Sequence, residues 1–315
     1  MRVLQMISLG IIGGGIFFSE QCFGEVKCGD LFRVKRGCYV PLFSVSEAAM
    51  DYEIGEGGNS CHNLDTVLWE GSVLRIIGIE KNENVEVEFF LTEKARGEGF
   101  VHRDFFEKSM EPSCEAEWRY ALYRNVYPLS LEKIKKVFQR CVDENVPYCY
   151  GANNFATIDI KQMYEFKLKN SGDAHKSYEL RGFDSSGLLH FISGGNLPHC
   201  TYGLDREAQT IFTFDTRKKY SVEEKRMVLS MLNDSDYLML RHNKDRFNRG
   251  ENNSVLVVFN RGFLEFRNPN EGLVYTKKKD AFERLECLLR EGSKKGSNVI
   301  IIRWHPELLG QPTGH

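Results

Sequence analysis

The stretch Arg181–Thr201, RGFDSSGLLHFISGGNLPHCT, constrains this chain more than any other. It opens on Phe183 and two short polar residues, Asp184 and Ser185, either of which can cap a helix. Leu188, Leu189 and Ile192 then recur at helical spacing. Gly194-Gly195 stops the run, and Leu197-Pro198 begins an extended segment. The pattern predicts a helix whose first turn presents a hydroxyl at the positive end of the helix dipole, where nucleophiles are activated and anions are favoured.

The remaining composition is that of a globular protein. A length of 315 residues allows one large or two modest domains, each with a core of its own. A net charge of −2 gives no sign of nucleic acid as a partner, and Lys277-Lys278-Lys279 reads as a solvated face. Residues 1–24 read as a signal peptide: Arg2 precedes the apolar Val3–Phe18, and cleavage would follow Gly24. The apolar run is short and glycine-rich, so no stable membrane span is expected after cleavage. Cys22 is a candidate for lipid attachment, although Glu20-Gln21 suit that poorly. Nine cysteines occur without zinc-ligand spacing; eight remain after such cleavage, an even count that permits disulfides whose connectivity the sequence leaves open, a Cys28–Cys38 bridge being one candidate. No cofactor signature is present, and the glycines of Gly10–Gly15 lack the strand and helix of a phosphate loop.

Residues 28–112 alternate short β-rich runs with turns: Cys38–Val45, Thr66–Trp69, Val73–Ile79, Val85–Leu91 and Gly99–Val101. That rhythm predicts a small all-β barrel with Trp69 and Phe100 in its core. Trp69–Val73 and Gly99–Phe106 resemble the internal and closing strands of bacterial SH3-like domains. Residues 113–315 form the second predicted domain. Ser130 caps a helix reaching Asn145, with Ile134, Val137, Phe138, Cys141 and Val142 as its apolar stripe. Further helices are expected at Leu204–Ile211, Val222–Leu232 and Asp280–Glu291. Strands are expected at Ser235–Leu240, Ser254–Phe259, Phe263–Phe266 and Val299–Trp304.

Phe183-Asp184-Ser185-Ser186-Gly187-Leu188, followed by a helix and Leu197-Pro198, resembles the nucleophile segment of NlpC-type cysteine peptidases. These are papain-like enzymes that cut bacterial cell-wall peptides. The decisive departure is Ser185, which stands where the family has its cysteine. Pro147-Tyr148-Cys149-Tyr150-Gly151 resembles the family's Pro-Tyr-x-Trp-Gly, and Ser254–Phe259 its His-Val-Gly-Ile-Tyr. By this resemblance Ser254 takes the position of the general base and Glu265 falls near the third polar position. Tyr148 either donates to an oxyanion or only walls the cleft. Tyr150, Asp184, Ser186 and His242 would line the substrate cleft.

The implied fold is α+β: a papain-like domain, with a central antiparallel sheet and packed helices, after a small all-β SH3-like barrel. Serine is a weak nucleophile without a base, and Ser254 cannot serve as one near neutral pH. Losing either member of such a unit costs on the order of a millionfold in turnover. The leading expectation is therefore an exported, catalytically degenerate protein that recognises peptidoglycan stem peptides or an envelope protein. The first alternative is an active endopeptidase using Ser185 with an unaligned base such as His242. The second is a non-enzymatic envelope interaction protein.

Overall fold

The computed structural model describes residues 26–44, 52–55, 58–61, 64–80, 84–90, 96–116, 128–159, 179–197, 199, 204, 209–242, 255–268 and 270–309. The proposed signal peptide, Cys22 and Ser254 lie outside them.

In chain order the strands of the first half are β1 (Leu31–Val34), β2 (Val40–Phe43), β3 (Tyr52–Gly55), β4 (Gly58–Cys61), β5 (Leu64–Leu68), β6 (Val73–Ile79), β7 (Asn84–Phe90) and β8 (Arg96–His102). Helix α1 (Arg103–Ser109), β9 (Met110–Pro112) and α2 (Leu131–Asp143) follow. The second half carries β10 (Tyr148–Cys149), β11 (Asn153–Asp159), β12 (Glu179–Phe183), α3 (Ser185–Ile192), β13 (Gln209–Phe214), α4 (Val222–Ser230), β14 (Tyr237–His242), β15 (Val255–Phe259), β16 (Gly262–Phe266), β17 (Leu273–Thr276), α5 (Ala281–Lys295) and β18 (Ser297–Arg303).

These strands assemble into three sheets. A seven-stranded antiparallel sheet runs β5-β2-β8-β7-β6-β1-β9. Its alternating apolar residues, among them Val34, Leu42, Leu74, Ile76, Val87 and Val101, close over Phe106 of α1. A six-stranded antiparallel sheet runs β13-β18-β14-β15-β16-β17. One of its faces, with Met239, Val255, Val257, Leu264 and Phe266, packs against Ile134 and Phe138 of α2 and Leu188 and Leu189 of α3. The other, with Leu238, Leu256, Val258 and Phe263, packs against Val228 of α4 and Leu285 and Leu288 of α5. Both faces are covered, which is why β15 and β18 read as unbroken apolar runs rather than alternating ones.

Between these two lies a five-stranded sheet, β11-β12-β10-β4-β3. It draws β3 and β4 from the first half of the chain and pairs β4 in parallel with β10, Gly58 opposite Tyr148. Phe43, Leu64 and Val67 share a buried cluster with Cys149, Ala152, Ile158 and Leu180, so the core is continuous across residue 112.

This arrangement corrects the expected fold class. The described residues hold eighteen strands in three sheets against five α-helices, a mostly-β architecture and not an α+β papain-like domain behind a closed SH3-like barrel. The physical reason is pairing that no local signal announces. Gly58–Cys61, which reads as a turn, is a strand because β3 and β10 flank it. Gln209–Ile211, the end of the helix expected at Leu204–Ile211, belongs instead to the edge strand Gln209–Phe214 on β18, where its Thr, Ile and Phe side chains suit a pleated surface. Asn153–Asp159 and Glu179–Phe183 pair with each other across a stretch of chain that carries no hairpin signal. The Cys28–Cys38 bridge is likewise corrected: both thiols are free. No helix among the described residues is long and apolar enough to cross a membrane.

Candidate functional site

Helix α3 starts where the sequence places it. Asp184 is its N-cap, in extended conformation, and one carboxylate oxygen accepts from the Gly187 N–H at 2.6 Å and the Ser186 hydroxyl at 2.8 Å. The other oxygen accepts from the Gly151 N–H at 2.8 Å, which ties the helix start to the turn after β10. Gly187 permits this contact: a Cβ there would lie 2.0 Å from the Ala152 carbonyl oxygen. Burial pushes the Asp184 carboxyl up, but the His199 ring and these donors outweigh it and hold the group below the usual carboxylate range.

Ser185, the first residue of the helix, is buried, and its hydroxyl donates to the Phe266 main-chain oxygen at 2.9 Å. That carbonyl closes β16, so the helix start is pinned to the six-stranded sheet. Ser185 makes no hydrogen bond to an imidazole or a carboxylate among the described residues.

Glu265 is not brought to Ser185. On β16 it alternates with Leu264 and Phe266, and so faces the α5 side of the sheet. There it is 2% exposed and held by two guanidinium groups, Arg284 of α5 and Arg267, the latter at 3.1 Å. Tyr148 is buried on β10 opposite Phe183, while Tyr150 remains 37% exposed. Burial first, and then the charges of Asp184 and Asp65, push the Tyr150 phenol up, which keeps its hydroxyl a hydrogen-bond donor. His242 ends β14 with its backbone opposite Ser297, and its side chain lies outside the described residues.

The structure adds a polar chain that sequence reasoning missed. The indole N–H of Trp69 donates to Asn153 Oδ1 at 2.8 Å, and Asn153 Nδ2 donates to Thr66 Oγ1 at 3.1 Å. The Thr66 hydroxyl shares a hydrogen bond of 2.7 Å with His199 Nδ1, and His199 Nε2 lies 3.3 Å from the Asp184 carboxylate. A carboxylate only accepts, so His199 Nε2 carries a hydrogen and donates it to Asp184. His190 stacks on His199 with ring centroids 5.6 Å apart, and its Nδ1 donates to the Leu197 carbonyl at 2.7 Å. Burial, and then His199, push the His190 pKa down to about 4.

Both nitrogens of His199 are thus occupied, and neither serves Ser185. Its role is to join β5 to the start of α3. Only the proximity of His199 to the helix was legible in sequence; its partners Thr66 and Asn153 lie far along the chain and carry no local mark. Comparison of the sequence with known protein families and with curated proteins returned no match.

Proposed function

We propose that this chain is a cell-envelope protein that binds peptides of the peptidoglycan stem-peptide class without hydrolysing them. The reading rests on the sequence resemblance of Phe183–Thr201 to the NlpC-type nucleophile segment. The observation that carries the loss of chemistry is the Ser185 hydroxyl, a buried donor tied to the Phe266 carbonyl. A serine nucleophile must give its proton to a base as it attacks. Here the proton is directed at a main-chain oxygen, which has no basicity at neutral pH. Beside it, the half-exposed Tyr150 offers an aromatic surface on which a peptide can lie.

The full chain, incubated with purified stem peptides, is expected to bind them and leave them intact. Tyr150→Ala should weaken binding roughly tenfold, about 1.4 kcal/mol, with the folding midpoint unchanged because the ring is half exposed. Cleavage by the wild type that vanishes in Ser185→Ala would overturn the proposal. Cleavage gained by Ser185→Cys/Ser254→His would support the two positions taken from the resemblance.

A further inference from the structure

On the far side of the six-stranded sheet edge, a cleft of about 510 Å³ opens between the start of α2, the loop after α4 and the β15–β16 turn. That volume suits a small ligand. Its polar lining includes Lys135, Asn233, Asp234 and Arg261, and its apolar floor includes Leu232 and Leu308.

Two features mark this cleft apart from an ordinary surface dent. Four non-glycine residues among those described have positive φ: Asn145, Ser235, Asn260 and Arg261. Asparagine tolerates that conformation; serine and arginine rarely adopt it. Arg261, exposed and at φ 61°, lines the cleft from the turn, and Ser235, at φ 83°, follows directly on Asp234 in the opposite wall. The Ser235 hydroxyl is also buried without a hydrogen-bond partner. The two walls are clasped together, since the Asn260 N–H donates to Asp234 at 2.8 Å and the Ser235 N–H to the Val258 carbonyl at 3.0 Å. The positive φ at Asn260 and Arg261 is that of an ordinary two-residue type I′ hairpin turn between Phe259 and Gly262; the strain lies at Ser235, a position of the kind found beside binding sites.

The second feature is charge. Asp234 is already paired with Lys135 at 3.3 Å, while the Arg261 guanidinium has no hydrogen-bond or ion-pair partner among the described residues. Two cations and one anion leave a single positive charge beside an apolar floor. A guanidinium fork fits a carboxylate in two parallel hydrogen bonds. A dianionic phosphate would meet repulsion from Asp234 and leave the leucines without a partner.

We infer that this cleft binds a small aliphatic carboxylate, such as the C-terminal residue of a peptide, with Arg261 holding the carboxylate and Leu232 and Leu308 the side chain. The inference is independent of the function proposed above, because the residues at the start of α3 take no part in it.

N-acetyl-leucine, titrated into the full chain and followed calorimetrically, tests the assignment, with N-acetyl-leucinamide and inorganic phosphate as controls. Saturable binding of the acid, absent for the amide, is expected. Arg261→Gly should weaken it at least tenfold while leaving Tm unchanged or higher, since glycine relieves the left-handed turn. The proposal is overturned if the acid shows no saturable binding, if the amide binds equally, or if Arg261→Gly binds as the wild type does. Phosphate binding as tight as the acid's, and lost in Arg261→Gly, would also overturn it, in favour of a generic anion site.

Discussion

At the scale of single residues, the most demanding placement is Arg303. It is 2% exposed at the end of β18, and its guanidinium grips both oxygens of Asp236, itself fully buried, at 3.0 and 2.8 Å. A third donation goes to the Met231 carbonyl at 3.0 Å, so the fork is well supplied with acceptors. Removing one partner of such a pair strands a charge that water cannot reach. Arg303→Met should therefore cost about 3–5 kcal/mol in chemical denaturation, and Arg303→Met/Asp236→Leu should recover most of it. A double variant as unstable as the single one would show that packing, not the stranded carboxylate, dominates. Cys141 is constrained differently: burial in α2 pushes its thiol up to about 12, so it behaves as a small apolar side chain and not as a nucleophile.

At the scale of elements, helix starts are where sequence and structure agree best. Ser130 caps α2, and Ser221 with Glu224 forms a reciprocal cap on α4. Asp184 caps α3 as the sequence allowed. These signals are local, a polar residue ahead of an apolar stripe, and the chain needs no distant partner to express them. Strands built from pairing alone were illegible for the opposite reason. Glycine, asparagine and serine at 58–60 have no intrinsic preference for extended structure, and only the neighbouring strands create one. The candidate site divides along the same line. The capping carboxylate and the serine at the helix start were readable, whereas the Thr66–His199 link and the turn of Glu265 toward α5 depend on which sheet face each residue occupies.

The junction between α3 and β5 also sets a pH response. His190 stays neutral in the folded protein down to about 4, while the same ring in the unfolded chain takes a proton near 6.5. Between those values the unfolded state binds more protons, so stability falls as pH drops through that window, by at most about 3 kcal/mol for a partly buried ring. Asp184 adds a loss of the same sign at lower pH. Its folded pKa is depressed below 3.8, so its contribution is present above that value and disappears as the carboxylate is protonated. Urea unfolding at pH 7 and pH 4.5 should show the His190 component, and His190→Asn should shrink the difference. A difference that His190→Asn leaves intact would place the titrating group elsewhere.

At the scale of the whole molecule, the five-stranded sheet and the cluster of Phe43, Leu64 and Val67 with Cys149 and Ala152 bind the two halves of the chain into one core. A core shared in this way should melt once. Trp69 reports the first half, bonded to Asn153 of the second, and Trp304 reports the six-stranded sheet through its bond to the Ser235 carbonyl. Fluorescence of variants lacking Trp118 and keeping only one of these two indoles should give coincident midpoints. Two separated midpoints would mean that the halves unfold independently.

The parallel pairing of Gly58 with Tyr148 carries a consequence for synthesis. A ribosome delivers β4 long before it delivers β10, so the hairpin of β3 and β4 leaves the exit tunnel with one edge open. Until β10 arrives, its unpaired amides can recruit any extended segment nearby. The order of translation therefore leaves β4 without its final partner until the second half of the chain has emerged.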